Sequence, residues 1–150
     1  MSKLASIRLA GLVCLLLLPA TTMAQDAAPG LPPQDLQGGE CGAFFWDRAE
    51  PNPLRLFENE SRGQARFWQE GEVLELGTAP RTGPYAAGQR LSRAYRLPSN
   101  EIISIEGEIT AVREGEAVIG RALLRRTLTG GAEEVSPLMG LISCRETADR

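Results

Sequence analysis

The sequence predicts an all-β fold, a small single-domain barrel or sandwich of about eight antiparallel strands. Short runs suited to strands alternate with turn signals at intervals of about 8 to 12 residues, a spacing typical of all-β domains. The clearest run alternates isoleucine with polar residues, so one face is apolar. Two cysteines, Cys41 and Cys144, stand at the two edges of the series. A disulfide between them would link the first strand to the last.

The first 24 residues predict a secretory signal peptide. A basic start is followed by a short apolar run, and Thr22 and Ala24 are the small residues expected before cleavage at Gln25. A lipid anchor at Cys14 and a retained membrane anchor are the alternatives. The apolar run is shorter than the roughly 20 residues that a spanning helix needs. We therefore expect an exported protein, periplasmic or secreted, with no membrane span once the signal is removed.

Behind the predicted signal, residues 25–40 are rich in Pro, Gly and Gln, which predicts a flexible linker, and residues 41–150 form the predicted β domain. Loss of Lys3 and Arg8 with the signal takes the 16 basic residues to 14 against 19 acidic ones, a net charge of −5. An acidic chain lacks the cationic surface on which nucleic-acid binding depends. The sequence therefore predicts no nucleic-acid partner.

Each predicted strand is a short run bounded by turn residues. The first four lie at 42–46, 54–58, 65–69 and 72–77. A long break rich in Pro and Gly, 78–89, separates them from the last four, at 90–97, 101–112, 116–128 and 133–144. In the fifth run Leu91, Arg93, Tyr95 and Leu97 share one face. Gly107 interrupts the isoleucine run and predicts a bulge or bend.

The run at 116–128 is the ambiguous one, because its apolar residues also suit a helix. Gly130 and Gly131 form a plausible two-residue hairpin loop to the last run, which favours a strand. Pro137 lacks a backbone N–H, so the last strand is predicted to lie at an edge or to begin at that point.

Cys41 and Cys144 predict one structural disulfide, since an even pair in an oxidising compartment is most simply bridged. In the chain-entropy model, closing a loop of about 100 residues stabilises a fold by roughly 4.7 kcal/mol. The functional alternative, a redox-active pair, usually requires a local Cys-x-x-Cys arrangement, which this chain lacks.

Several kinds of catalytic chemistry are missing. The chain has no histidine, which excludes Ser-His-Asp and Cys-His catalysis. Two cysteines alone make no zinc site, and no phosphate-binding or dinucleotide motif is present, so neither metal nor cofactor is expected. Glu106 and Glu108 leave a small carboxylate-dependent hydrolase as an alternative. They equally suit a solvated face opposite the isoleucines. We therefore expect no enzyme and no catalytic residue.

Binding is the function class that these exclusions leave, with a protein or a cell-wall component as partner. The predicted surface comprises Arg81 and Tyr85 in the long break, together with Trp46 and Trp68 if these aromatics are exposed. Six arginines offer a second hypothesis, an anion-binding patch, although surface ion pairs explain them equally well. They are Arg90, Arg93, Arg96, Arg121, Arg125 and Arg126. A structural or assembly accessory of the envelope is the remaining alternative.

Two stretches of the domain resemble a group of small exported bacterial proteins with no assigned activity: "ECGAFFW" at 40–46 and "PLMGLISC" at 137–144. A third, "TGPYAAG" at 82–88, is similar to the serine-glycine-tyrosine-glycine loop of periplasmic inhibitors of C-type lysozyme. That family consists of small disulfide-linked β-barrels, so the resemblance implies a lysozyme-inhibitor-like protein. The chain departs from its pattern between Gly83 and Tyr85, which are one residue too close, and lacks the tryptophan-lysine-glycine segment that follows in the family.

Overall fold

The structure is a computed structural model that describes residues 29–147. The predicted signal peptide, 1–24, and the first residues of the predicted linker, 25–28, lie outside the described residues. The prediction of an all-β fold is confirmed by eight strands. These are β1 (Cys41–Asp47), β2 (Leu54–Asn59), β3 (Gln64–Gln69), β4 (Glu72–Gly77), β5 (Arg90–Arg96), β6 (Ile102–Arg113), β7 (Glu116–Thr127) and β8 (Glu133–Cys144).

All eight strands form one antiparallel sheet in the order β4-β3-β2-β1-β8-β7-β6-β5. The sheet curls into a half-barrel, with β1 and β8 at its centre and β4 and β5 at its two edges. The alternating inner face holds the main core, which includes Phe45, Ile105 and Leu138. The predicted fold class, a small barrel or sandwich of about eight antiparallel strands, is confirmed in the form of one curled sheet, a half-barrel.

Two doubtful points of the sequence are settled by the pairing. The ambiguous run is the strand β7, because it pairs with β6 on one side and β8 on the other. β8 is a central strand that begins at Glu133, so Pro137 marks neither the edge of the sheet nor the start of its strand. The proline is tolerated because the ladder between β8 and β1 ends at Leu138, paired with Asp47.

Gly107 lies where β6 packs closely against β7. A side chain there would meet Arg121 O at 2.8 Å and the Ala122 side chain at 3.1 Å. The β6–β7 register shifts immediately afterwards, between Glu108 and Ile109. The predicted irregularity is thus confirmed, and close strand packing explains the glycine.

The predicted disulfide is present between Cys41 and Cys144. The two residues pair directly across β1 and β8, with Cα atoms 3.9 Å apart, and they are 103 positions apart in sequence. The bridge therefore fastens the first strand to the last at one rim of the half-barrel.

The segment before β1 packs against the outer face of the sheet, which differs from the flexible linker that its composition predicts. Leu31 and Leu36 are buried against Phe57, in a second apolar cluster outside the main core. Leu31 N also donates to Leu54 O at 2.8 Å. We call residues 29–40 the strap. Its two buried leucines lie five residues apart in a polar segment, so they give no recognisable pattern in the sequence.

We expect Leu36→Ala to lower the free energy of unfolding by about 2 kcal/mol, because it empties a buried site in the second cluster. Urea denaturation followed by tryptophan fluorescence would measure the loss. Asp35→Ala is the matched control, since Asp35 is exposed, and we expect a change within about 0.5 kcal/mol. Equal effects of the two substitutions would contradict a packed strap.

Candidate functional site

A cluster of charged side chains lies inside the half-barrel. Glu58 at the end of β2 and Glu60 just beyond it are both 0% exposed, and Arg93 on β5 is 3% exposed. Arg93 Nη1 donates to Glu58 Oε2 at 2.6 Å, and its Nη2 donates to Glu60 Oε1. Tyr95, also on β5, donates its hydroxyl proton to Glu58 Oε2 at 2.5 Å. The two carboxylates are thus joined through one guanidinium.

The curl of the sheet brings these residues together, since β2 and β5 are not neighbours in the sheet. Side chains two residues apart on a strand share a face. Glu58 therefore follows Leu56 on the inner face, and Arg93 lies between the buried Leu91 and Tyr95. Both charged residues occupy positions where a barrel interior normally has apolar side chains.

The long break between β4 and β5 is anchored to the same cluster. Arg81 Nε donates to Glu58 Oε1 at 3.0 Å, and the Tyr85 hydroxyl donates to Glu60 Oε1 at 2.6 Å. The main chain adds a bond from Arg81 N to Glu60 O at 2.8 Å. We call residues 78–89 the anchored loop. Its other side chains at 82–84 and 86–89 are exposed.

The charges in this cluster balance, since Glu58 and Glu60 face Arg93 and Arg81. Burial of ions is costly unless they are paired and hydrogen-bonded. Burial opposes the charged form of Arg93, but attraction to Glu58 and Glu60 outweighs it and raises the Arg93 pKa. Glu60 Oε2 is buried and has no hydrogen-bond partner among residues 29–147.

Both tyrosines of the chain belong to this cluster. Burial, followed by the hydrogen bond to Glu60, raises the pKa of Tyr85 to about 12. Burial, followed by the charge of Glu58, raises the pKa of Tyr95 further. Each hydroxyl therefore keeps its proton in the folded protein at a pH that ionises a solvated tyrosine.

We expect the protein to lose stability as the pH rises from about 10 toward 12. Below pH 10 both tyrosines are protonated whether the chain is folded or unfolded. Above it the unfolded chain releases their protons first, since both folded-state pKa values are raised, and this favours unfolding. Absorbance at 295 nm should show tyrosinate appearing together with the loss of tryptophan signal. Tyrosinate that formed near pH 10 in the folded protein would contradict the cluster.

The four predicted binding residues fall into two separate places. Arg81 and Tyr85 come together in the anchored loop, where both point inward to the carboxylates. Trp46 stacks on Phe44 at 5.8 Å and pairs with Leu54 at the far end of β2. From Leu54 to Glu60 a strand rises roughly 20 Å, so Trp46 lies far from the anchored loop.

Trp68 also lies away from the anchored loop. It is half-buried against the second apolar cluster, and the Arg55 guanidinium lies 5.1 Å from the centre of its ring. A concavity of about 250 Å³ lies beside Trp68. Its lining includes Trp68, Arg55, Phe67 and Leu124. The predicted aromatic surface therefore does not join the loop surface.

The arginines of the hypothetical anion patch are dispersed. Arg93 is buried in the cluster, Arg125 pairs with Glu133 at 3.2 Å, and Arg126 pairs with Glu101 at 3.3 Å. The patch is therefore not assembled as the sequence suggests. Arg90, Arg121 and Arg48 line a broad concavity of about 620 Å³ on β5–β8, together with Glu106 and Glu108.

Sequence reasoning missed Glu58 and Glu60. The sequence offers one signal, Arg93, which shares a strand face with Leu91, Tyr95 and Leu97. Because that face is buried, the arginine requires an anionic partner inside the fold. The partner could not be identified from the sequence, because Glu58 is 35 residues away on a strand that does not pair with β5.

In the described range, 29–147, no group of three potential ligands among His, Cys, Asp and Glu is placed to hold a metal ion. The same range contains no helix with the length and apolarity needed to cross a membrane. Comparisons with protein-family models, curated proteins and solved structures find no match.

Proposed function

We propose that the chain is an exported, non-enzymatic binding module of the cell envelope that uses the anchored loop to contact a protein or a cell-wall component. The observation that carries the proposal is the anchoring of an exposed loop by two inward side chains, Arg81 and Tyr85. Preorganising a loop reduces the entropy lost on binding, so it favours affinity. Arg81 and Tyr85 thus serve as anchors, and the exposed residues at 82–84 and 86–89 make the contact.

The disulfide supports export, because such bonds persist in oxidising compartments. The carboxylates support binding over hydrolysis. Glu58 and Glu60 are buried and held by arginines, so a substrate does not reach them. Glu106 and Glu108 project side by side from one strand, whereas glycoside hydrolysis needs carboxyl groups on either side of the bond to be cleaved.

The test is to crosslink the protein, residues 25–150, to its partners in periplasmic and envelope extracts of the cell that produces it. Mass spectrometry then identifies the captured partners. Ala87→Arg adds a long charged side chain at an exposed position of the anchored loop, and we expect it to abolish capture of the main partner. Ala132→Arg is the matched control, because Ala132 is an exposed residue of the β7–β8 turn, and we expect it to leave capture unchanged.

A C-type lysozyme belongs in the same experiment as a defined candidate partner, since 82–88 resembles the loop of the lysozyme inhibitors. Inhibition that is lost in the Ala87→Arg variant would identify that partner. Capture that is equally strong with Ala87→Arg and Ala132→Arg would reject the anchored loop as the contact surface. Absence of any specific partner would favour the structural accessory of the envelope.

A further inference from the structure

Within residues 29–147, each edge strand of the sheet has one side along which no ladder runs. Among the residues that the structure describes, β5 pairs only with β6, and β4 pairs only with β3. No ladder joins β4 to β5 in the part of the chain that the structure describes, although the two edge strands approach within contact distance of each other. An edge strand with unpaired N–H and C=O groups is a template for a further strand.

The register shows which groups of β5 face outward. Leu97 N donates to Glu101 O at 2.8 Å, which continues the pairing of Tyr95 with Ile103. Hydrogen-bonded residues alternate along an antiparallel strand, so the odd-numbered residues of β5 bond to β6. The even-numbered residues direct their N–H and C=O groups away from the sheet. These are Arg90, Ser92, Ala94 and Arg96, and all four are exposed.

The charge of this edge favours an acidic partner. Arg90 and Arg96 stand at its two ends, and neither forms an ion pair within residues 29–147. A second copy pairing antiparallel through the same edge, centred on Arg93, would place Arg90 opposite Arg96. Like charges in directly opposed positions are destabilising. An extended segment with acidic residues six positions apart would face both arginines favourably.

The edge of β4 differs in charge. The bond from Thr78 N to Gly63 O, at 2.9 Å, shows that the even-numbered residues of β4 bond to β3. Val73, Glu75 and Gly77 therefore face outward, and Glu72 precedes them. An acidic segment suits the arginines of β5 and not the glutamates of β4.

The edge of β5 is continuous with the anchored loop. Arg81 and Tyr85 of the loop line a concavity of about 110 Å³ together with β5 residues from Arg90 to Arg93. A strand added along β5 would therefore reach the loop at one end. The loop and the first half of β5 thus share one concavity.

We propose that the edge of β5 binds an acidic, extended segment of a partner protein as an additional antiparallel strand. The inference rests on the proposed binding function and specifies its partner as a protein with such a segment. Main-chain hydrogen bonds to the even-numbered residues would supply affinity, and the two arginines would select acidic side chains.

The first test uses the synthetic peptide Glu-Val-Thr-Val-Thr-Val-Glu, whose glutamates match the spacing of Arg90 and Arg96. We expect slower hydrogen exchange at the Ser92 and Ala94 amides, and no change at the Val73 and Glu75 amides of β4. N-methylation of the two threonines removes the N–H groups that would face β5, so it should abolish binding. N-methylation of the first and last valines should leave binding intact, since their N–H groups face away.

The second test changes the protein. Arg90→Glu with Arg96→Glu should weaken binding of the glutamate peptide about tenfold, and a peptide with arginines in place of the glutamates should then bind better. Ser92→Pro removes one outward N–H and should also weaken binding, with Val73→Pro on β4 as its matched control. If the Ser92→Pro variant does not fold, the Arg90→Glu and Arg96→Glu double variant and the N-methylated peptides still test whether β5 binds the peptide.

Three outcomes would overturn the inference. They are protection at β4 in place of β5, the absence of protection at either edge, and assembly of the protein alone with rising concentration, which would assign the edge to a second copy. The loop experiment is separate. Capture lost in Ala87→Arg without peptide binding at β5 would reject only this inference. Peptide binding without a captured partner would reject the proposed loop contact.

Discussion

Replacing Arg93 with leucine should lower the free energy of unfolding by roughly 3–5 kcal/mol, because it leaves Glu58 and Glu60 buried without their shared cation. A small domain has a net stability of only about 5–15 kcal/mol, so the loss is a large part of the whole. Urea denaturation followed by tryptophan fluorescence measures it. Arg96→Leu is the matched control on the exposed face of the same strand, with an expected change within about 0.5 kcal/mol.

A compensated variant separates stability from loop anchoring. Changing Glu58, Glu60 and Arg93 together to methionine removes both carboxylates with the cation, so we expect much of the lost stability to return. The anchored loop loses its acceptors for Arg81 and Tyr85 in that variant. Its amides should therefore exchange faster with solvent even though the fold is stable. An Arg93→Leu protein as stable as the unchanged protein would contradict the pairing of buried charges.

Reduction of the Cys41–Cys144 bridge should destabilise the protein by about 4.7 kcal/mol, the value expected for release of a loop of about 100 residues. The bond joins residues that are 103 positions apart, so cutting it greatly increases the conformational entropy of the unfolded chain. Guanidinium unfolding with and without a reducing agent measures the difference.

The control for reduction is the Cys41→Ala and Cys144→Ala double variant, which should unfold at the same denaturant concentration with or without reductant. It should also match the reduced protein to within about 1 kcal/mol, since alanine fits where the cysteines paired. If the oxidised and reduced proteins unfolded at the same denaturant concentration, the bridge would have no stabilising role.

The strands and the disulfide were predictable because their signals are local or countable. Turn residues bound each run, and two cysteines at the edges of the series allow only one intramolecular pair. The anchored loop was also identified from its proline and glycine content. These features depend on short-range backbone preferences and on chemistry that two residues alone can provide.

The charged cluster and the strap were not predictable in the same way. Glu58 resembles a surface glutamate in sequence, and its inward position depends on the curl that brings β2 to β5. Leu31 and Leu36 are isolated apolar residues in a polar segment, and their burial depends on packing against Phe57 on the outer face of the sheet. Both features are consequences of long-range packing, for which neither periodicity nor composition provides a signal.

The strand order has a consequence for how the chain folds. Strands β1 to β4 form one meander and β5 to β8 another, and in both every neighbour in space is a neighbour in sequence. Each meander can therefore assemble from nearby contacts, whereas the β1–β8 ladder and the Glu58–Arg93 pair join residues from opposite halves. Contacts that close long stretches of chain form slowly. The docking of two preassembled meanders is therefore the expected slow step, and the buried charges meet only when it is complete.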